Sequence, residues 1–305
     1  MNYQKVLEEI EQEIQPFLNE GKVANYIPAL ANVDDKKFAM SIQLFDGTSY
    51  HIGDSNLKFS IQSISKVFTF TLALNYYGKD LYKRVNHEPS GSPFNSLVQL
   101  EYENGIPRNP FINAGAIVTT DSLVSIYKKH TFDSILNFIK KTSNDETITH
   151  DEEIFKSELA HGFRNFALIN MIKSYNNINN NIDEVINTYF KQCSIMMNSS
   201  QLANSMLFLA NHGINPLTSE EIITESKAKR INSLMLTCGH YDASGDFAYK
   251  VGLPGKSGVG GGIVAVVPKK MAICVYSPKL NLQGNSLVGT KALELFTTKT
   301  GLSIF

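Results

Sequence analysis

The sequence predicts an α+β fold, in which one antiparallel sheet is built from both ends of the chain and a helical region is inserted between them. Strand character is found near the N-terminus, from Lys37 to Phe45 and from Thr48 to Ile52. It returns only near the C-terminus, where strands are predicted at Asp246–Gly252, Ile263–Val267 and Met271–Tyr276. Helix and loop signals fill the stretch between. We therefore expect a sheet domain from residues 1–78 and 237–305, a helical domain from residues 79–236, and an active site between them.

Local signals predict the individual elements. Apolar residues recur at helical spacing over residues 1–14, which indicates an N-terminal helix. Asp46-Gly47 between two alternating segments predicts a hairpin turn. The stretch from Ser63 to Gly78 has helical length and ends on a glycine suited to a C-cap, and a last helix is predicted from Val288 to Thr298. The asparagine-rich tract Tyr175–Ile182 has the composition of a solvated loop.

Composition excludes several classes of function. With 43% apolar and 19% charged residues, the chain resembles an ordinary globular protein rather than a disordered one. A net charge of −1 without a basic block predicts no nucleic-acid partner, and no apolar run is long enough to predict a membrane helix. Three widely spaced cysteines and the lack of a signal-peptide pattern favour a cytoplasmic location. The seven histidines show no metal-binding spacing, so neither a metal nor another cofactor is expected.

A candidate nucleophile is Ser63, in the sequence Ser63-Ile64-Ser65-Lys66, where the predicted sheet region gives way to a helix. Residues three apart lie on one helical face, so the Ser63 hydroxyl and the Lys66 amine can meet. A serine hydroxyl is a poor nucleophile until a base takes its proton, and a lysine can be that base when burial favours its neutral form. An isolated S-x-x-K pattern is more often a helix cap followed by an exposed lysine, so the hypothesis needs supporting residues.

Lys256-Ser257-Gly258 supplies that support, because a K-T-G or K-S-G triplet accompanies S-x-x-K in penicillin-recognising enzymes. A strand beside the nucleophile offers the backbone N–H of Val259, which with that of Ser63 would form an oxyanion hole. The neighbouring glycines allow a substrate to approach closely. A phosphate-binding loop does not fit, because Lys250 stands where its first glycine is required and a strand, not a helix, follows.

Eight segments, in order along the chain, resemble the serine-dependent glutaminase family, which has a β-lactamase-like fold. They are GKVANYIPAL, FSIQSISKVF, EPSGSPFN, NPFINAGAI, SELAHGFRNFA, YFKQCSI, CGHYDASGDFAYKVGLPGKSGVGGGI and SPKLNLQGNS. The resemblance runs from about Gly21 to Gly289 and implies hydrolysis of L-glutamine to L-glutamate and ammonia through an acyl-enzyme on Ser63, with Lys66 as base. Members of this family form dimers or tetramers, so a homodimer or homotetramer is expected.

The resemblance also implies which residues contact glutamine. The matching positions are Tyr26, Ser63, Asn113, Glu158, Asn165, Tyr189 and Tyr241, with the main chain of Val259 in the oxyanion hole. The chemistry of these residues agrees: Glu158 suits the substrate ammonium, and the neutral donors of Tyr26, Asn113 and Asn165 suit its carboxylate. Tyr241, if it lies beside Ser63, could pass a proton to the departing ammonia.

Two other classes of protein remain as alternatives. The first is another S-x-x-K hydrolase, acting on β-lactams, peptides or esters. The missing S-D-N triplet and missing export signal disfavour it, although Tyr189 could occupy the corresponding place. The second is a catalytically silent binding or sensor module on the same fold, against which the intact Ser63, Lys66 and Lys256 argue.

Overall fold

The computed structural model describes residues 1–305. Its helices are α1 (Tyr3–Ile14), α2 (Ser65–Tyr77), α3 (Leu97–Tyr102), α4 (Asn113–Tyr127), α5 (Thr131–Ser143), α6 (Glu152–His161), α7 (Phe163–Ser174), α8 (Ile182–Cys193), α9 (Ser199–Ser205), α10 (Leu207–Ala210), α11 (Glu225–Cys238), α12 (Ser244–Lys250) and α13 (Leu287–Thr300). Its strands are β1 (Lys22–Val23), β2 (Ala39–Leu44), β3 (Ser49–Gly53), β4 (Phe59–Ser60), β5 (Thr149–His150), β6 (Ile195–Met197), β7 (Ile214–Asn215), β8 (Glu220–Glu221), β9 (Gly255–Ser257), β10 (Gly262–Val267), β11 (Met271–Tyr276) and β12 (Lys279–Leu280).

The main sheet has five strands in the order β3-β2-β11-β10-β9, and every neighbouring pair is antiparallel. Strands β2 and β3 come from the N-terminal part of the chain, and β9 to β11 come from the C-terminal part. The two parts meet where Ile42 lies opposite Ile273, in the pairing of β2 with β11. The sheet is therefore built from both ends of the chain, as the sequence predicts.

Each face of this sheet is covered by helices. On β10, Ile263, Ala265 and Val267 belong to a core shared with α1, α12 and α13, whereas Val264 and Val266 belong to the larger core formed with the inserted helices. Alternate side chains of a strand point to opposite faces, and a strand covered on both sides is apolar throughout. This explains why the segment Gly262–Val267 shows no polar alternation.

Two local predictions from the sequence are confirmed. The hairpin between β2 and β3 turns at Asp46-Gly47, where Gly47 has φ +87° and Asp46 Oδ1 accepts the backbone N–H of Thr48 at 2.9 Å. Helix α2 ends at Gly78, whose φ of +54° is a conformation that glycine adopts with little strain.

The strand predicted at Asp246–Gly252 is wrong, because residues Ser244–Lys250 form helix α12. Phe247 and Val251 are the buried apolar residues of this stretch and lie four apart, which is helical spacing. Tyr249 is 90% exposed and so contributes nothing to the core. Its apparent alternation with Phe247 and Val251 produced the wrong prediction.

The asparagine-rich tract is a loop, but the prediction that it is merely solvated is wrong. The carboxylate of Asp121, which is fully buried in α4, accepts the backbone N–H of Asn179 and both the backbone and side-chain N–H groups of Asn180. Arg84 pairs with the same carboxylate and also donates to the backbone oxygen of Asn177 at 2.8 Å. We call these five residues the Asp121 anchor, because they hold the loop against α4.

None of the helices is both long enough and apolar enough to cross a bilayer.

Candidate active site

Ser63 lies in a strained turn immediately before α2. The turn is a single 3₁₀ segment, Gln62–Ile64, and Gln62 has a φ of +45°, which is uncommon for a residue with a side chain. Such strain is found at functional sites, where the surrounding structure holds it in place. The turn places the Ser63 side chain in the wall of a cavity of about 280 Å³, while the residue itself remains 7% exposed.

Lys66 lies one helical turn beyond Ser63 and is fully buried. Its Nζ donates to the backbone oxygen of Phe111 at 3.1 Å and to Asn113 Oδ1 at 2.6 Å. No carboxylate forms an ion pair with Lys66. Burial lowers the pKa of its ammonium to about 8, although Cys193 and Glu158 oppose this fall. The ammonium is still the major form near pH 7, but the neutral amine is far more accessible than that of an ordinary lysine, and in this structure Nζ donates to Asn113 rather than to Ser63.

Asn113, the first residue of α4, joins Lys66 to a second predicted site residue. While its Oδ1 accepts from Lys66, its Nδ2 donates to Asn165 Oδ1 at 2.9 Å. Both the oxygen and the nitrogen of the Asn113 side-chain amide are therefore hydrogen-bonded within the protein. Asn165 retains its own amide N–H groups for another acceptor.

Tyr241 lies beside the Ser63 side chain. It begins a 3₁₀ turn, Tyr241–Ala243, with a φ of +58°, so the backbone is strained here as it is at Gln62. Burial raises the pKa of its phenol, and an interaction with the Ser63 side chain opposes that rise. Its hydroxyl also donates to the backbone oxygen of Ser257 at 3.4 Å. Tyr241 is thus a protonated phenol beside Ser63.

Lys256 lies beneath Tyr241 and is fully buried. Its Nζ lies 4.3 Å from the centre of the Tyr241 ring and donates to the backbone oxygen of Ser257 at 2.7 Å. Burial, together with the nearby Lys66, lowers the pKa of this ammonium well below its ordinary value. Two lysines without a carboxylate partner are therefore buried side by side, and such shifted groups are typical of functional sites.

The loop that carries Val259 packs directly against the turn that carries Ser63. A Cβ atom at Gly258 would lie 2.6 Å from the backbone oxygen of Ile61, and one at Gly260 would lie 2.2 Å from that of Ser60. Only glycine permits this approach. The backbone N–H of Val259 makes no hydrogen bond within the protein, so it is available to an oxygen atom beside Ser63.

Seven of the nine sequence-predicted site residues line the same 280 Å³ cavity, and they come from distant parts of the chain. They are Tyr26, Ser63, Asn113, Glu158, Asn165, Tyr189 and Val259. The other two, Lys66 and Tyr241, lie buried around Ser63. Glu158 on α6 is only 4% exposed and forms no ion pair, and burial raises the pKa of its carboxyl to about 7, although Gln62 and Lys66 oppose the rise.

Several further residues line this cavity that the sequence reasoning did not assign to it, among them Gln62, Phe94, His161, Arg164 and Cys193. Gln62 directly precedes Ser63, and Arg164 directly precedes Asn165. Their position next to a predicted site residue could therefore have indicated that they line the cavity. Phe94 and His161 lie within segments that resemble the family, but the resemblance implied no glutamine contact at either position. No three His, Cys, Asp or Glu side chains come together in an arrangement suited to a metal ion.

The chain was compared with families and proteins of known identity. The family model described as Glutaminase matches residues 21–305. The chain is 80% identical to a glutaminase of Aliarcobacter butzleri over the full length of both proteins, and 53% identical to a glutaminase of Agrobacterium fabrum over 99% of this chain and 98% of that protein. Among solved structures, a Bacillus subtilis glutaminase in covalent complex with 5-oxo-L-norleucine superposes with a TM-score of 0.91 at 34% identity, over 100% of both chains.

These findings place the molecule among hydrolases of the β-lactamase-like fold, and the predicted fold class is confirmed. The chain belongs to the glutaminase family. It is an L-glutamine amidohydrolase, as the sequence predicted.

Proposed function

We propose that the hydrolysis of L-glutamine proceeds through an acyl-enzyme on Ser63, with Lys66 as the base. The observation that carries this proposal is the pairing of a cavity-lining serine with a fully buried lysine, one turn away, whose pKa is about 8. Neutral Lys66 takes the Ser63 proton as Oγ attacks the side-chain amide carbon. In this arrangement Lys66 must turn from Asn113 toward Ser63, which requires only a rotation of its flexible side chain.

The remaining steps use groups around the nucleophile. The oxyanion of the tetrahedral intermediate accepts from the backbone N–H groups of Ser63 and Val259. Tyr241 donates a proton to the departing ammonia and recovers it from the Lys66 ammonium. Water then attacks the ester carbon, releasing glutamate and restoring Ser63. The Bacillus subtilis glutaminase that forms a covalent complex with 5-oxo-L-norleucine supports a covalent mechanism in this fold.

We assign recognition of the substrate's α-groups to the inner wall of the cavity. Glu158 binds the ammonium, because a buried carboxylate without a partner gains most from a cation. Asn165 and the Tyr26 hydroxyl donate to the carboxylate. Asn113, whose amide already bridges Lys66 and Asn165, orients both groups and presents its Nδ2 edge to the same carboxylate. Tyr189, 3% exposed in the cavity wall, completes the contact surface.

The site belongs to both units predicted from the sequence. Ser63, Lys66, Tyr241 and Val259 come from the proposed sheet domain, 1–78 and 237–305, and the α-group contacts apart from Tyr26 come from the proposed helical domain, 79–236. We also propose a cytoplasmic enzyme, which the three buried, unpaired cysteines favour, and a homodimer or homotetramer, as in the family that it resembles.

The test of this mechanism is covalent trapping. A diazoketone analogue of glutamine should label Ser63, as shown by peptide mass mapping, and Ser63→Ala should lose both labelling and turnover by many orders of magnitude while keeping its circular dichroism spectrum. Cys193→Ser is the matched control, because Cys193 is the cysteine that lines the same cavity. It should still be labelled on Ser63. Label on Cys193, Cys238 or Cys274 in the unmodified enzyme would refute the serine mechanism.

A further inference from the structure

A serine and a histidine lie side by side at the edge of the main sheet that is remote from the active site. Strand β3, which carries Ser49 and His51, is the outermost strand on one side of the sheet, and β9, which leads to Val259, is the outermost on the other. Four strand spacings of about 4.8 Å, roughly 19 Å in all, separate the two edges. Residues two apart in a strand point to the same face, and Ser49 Oγ lies 3.0 Å from His51 Nε2. The pair therefore lies outside the substrate cavity.

The hydroxyl groups around His51 determine which of its ring nitrogens carries the proton. Ser199 donates to the backbone oxygen of Ser55 at 3.3 Å, so its oxygen accepts from Ser41 Oγ at 2.7 Å. This bond uses the single proton of the Ser41 hydroxyl. The Ser41 oxygen therefore accepts from His51 Nδ1 at 3.1 Å, and Ser200 Oγ is a second acceptor for the same nitrogen at 3.2 Å. Nδ1 consequently carries the proton of the neutral ring.

His51 is thereby set up as a base for Ser49. With the proton on Nδ1, Nε2 keeps its lone pair and accepts the hydroxyl proton of Ser49. Burial lowers the pKa of the His51 imidazolium below its ordinary value, so the ring is mostly neutral at pH 7. A serine, a base within hydrogen-bond reach and a third group that orients the base form the arrangement that activates a nucleophile. Ser49 is exposed, so a reagent can reach it from solvent.

We propose that Ser49 is a second nucleophile of this enzyme, with His51 as its base, and that it accepts acyl groups from activated esters, a class that includes aryl esters and thioesters. Ser49 Oγ attacks the ester carbonyl while its proton passes to His51 Nε2. The new C–O bond to Ser49 replaces the bond to the leaving group, which departs as a phenolate or thiolate. The imidazolium then returns its proton to the leaving group or to water. The product is an O-acyl serine, and no step uses Ser63.

The experiment follows acetyl transfer from p-nitrophenyl acetate in the Ser63→Ala variant, which lacks the nucleophile proposed for glutamine. The reaction is stopped with acid at short times, and acetylated peptides are quantified by mass spectrometry. Ser174 is the internal reference, because it is also exposed but its hydroxyl donates to the backbone oxygen of Met171 and not to a base. Ser49 should be acetylated about a hundredfold faster than Ser174 or more, as expected when a general base assists the attack.

Two further substitutions in the same Ser63→Ala background separate the base from the nucleophile. His51→Asn removes the base and should reduce the acetylation rate of Ser49 to that of Ser174. Ser49→Ala should eliminate the acetyl group from this peptide and slow the release of p-nitrophenolate. Folding is checked with His51→Asn in the enzyme that retains Ser63. That variant should hydrolyse glutamine at the wild-type rate, because the pair lies far from the substrate cavity.

Three results would overturn the proposal, and none of them bears on glutamine hydrolysis through Ser63. The first is acetylation of Ser49 no faster than that of Ser174, a comparison that needs no substitution at the pair. The second is unchanged acetylation of Ser49 in His51→Asn, since the histidine would then not be the base. The third is an acetyl group on His51 with release of p-nitrophenolate unaffected by Ser49→Ala, because the imidazole would then be the nucleophile.

Discussion

Two clusters of buried charge in this molecule are built in opposite ways. In the Asp121 anchor, a fully buried carboxylate is paired with Arg84 and accepts hydrogen bonds from two asparagines. In the active site, Lys66 and Lys256 are equally buried, but no carboxylate pairs with either. A buried charge with all its partners fixes one conformation, whereas a buried charge without a counter-charge shifts its pKa and gains reactivity.

The largest effect on activity should come from a substitution that keeps a positive charge at position 66 but prevents its deprotonation. Lys66→Arg remains protonated, so it cannot accept the Ser63 proton, and kcat/KM should fall at least about a thousandfold, as for loss of a general base. Lys66→Ala should be as inactive. Substantial activity in the arginine variant would show that another group is the base.

The pH profile of the wild type sharpens the same point. In the proposed mechanism, Lys66 acts when neutral and Glu158 binds ammonium when ionised. Both forms increase as pH rises through their pKa values of about 8 and about 7. We therefore expect kcat/KM to rise with pH across this range. Glu158→Gln should remove the lower of the two ionisations and keep the upper one, and a profile that instead falls across this range would contradict both roles.

Substitution in the Asp121 anchor should have the opposite consequence: a large loss of stability and no change in catalytic activity. Asp121→Ala leaves Arg84 without its buried partner, and we expect the free energy of unfolding to fall by about 3–5 kcal/mol. Ser125→Ala is the control, since it removes only two neutral hydrogen bonds, one accepted from Asn180 and one donated to the Asp121 backbone oxygen, and should cost about 1–2 kcal/mol. Urea titrations give the stabilities. If Asp121→Ala, while folded, also lowers kcat/KM, then the two clusters are not independent.

The sequence was informative where one local pattern determines structure or chemistry. The spacing of Ser63 and Lys66 predicts that they lie close together, because residues three apart share a helical face. Four strands of the main sheet, β2, β3, β10 and β11, were predicted from alternating or apolar segments, whereas the short β9 was not. The asparagine loop was misjudged because its partners, Arg84 and Asp121, lie far away in the chain. The contact of Lys66 with Asn113 also depends on long-range packing, which no local pattern contains.

Recognition of the substrate ammonium should have an intermediate effect. Wild type should strongly prefer L-glutamine to its deamino analogue, because the analogue lacks the cation that we propose Glu158 binds, and a lost charge partner costs about 2–5 kcal/mol. Glu158→Gln should shrink this preference, which is measured as the ratio of kcat/KM for the two substrates with each enzyme. Equal losses on both substrates would mean that Glu158 serves the scaffold or the chemistry instead.

The two clusters should also differ in how stability depends on pH. Burial lowers the pKa of Lys66 from its ordinary 10.5 to about 8 in the folded protein, so between these values the unfolded chain binds a proton that the folded chain does not. Stability therefore rises with pH across this window, by on the order of 3 kcal/mol for this group. Lys66→Met cannot titrate. At neutral pH the variant loses the hydrogen bonds of Lys66 to Phe111 and Asn113 but no longer buries a charge, so its stability there can lie on either side of wild type. As the pH rises through the window, the free energy of unfolding of the wild type should increase steadily relative to that of Lys66→Met. Asp121→Ala, measured in the same way, should differ from wild type by a constant amount, because it leaves Lys66 unchanged. A constant difference between wild type and Lys66→Met would mean that Lys66 keeps its ordinary pKa in the folded protein, and it could not then be the base.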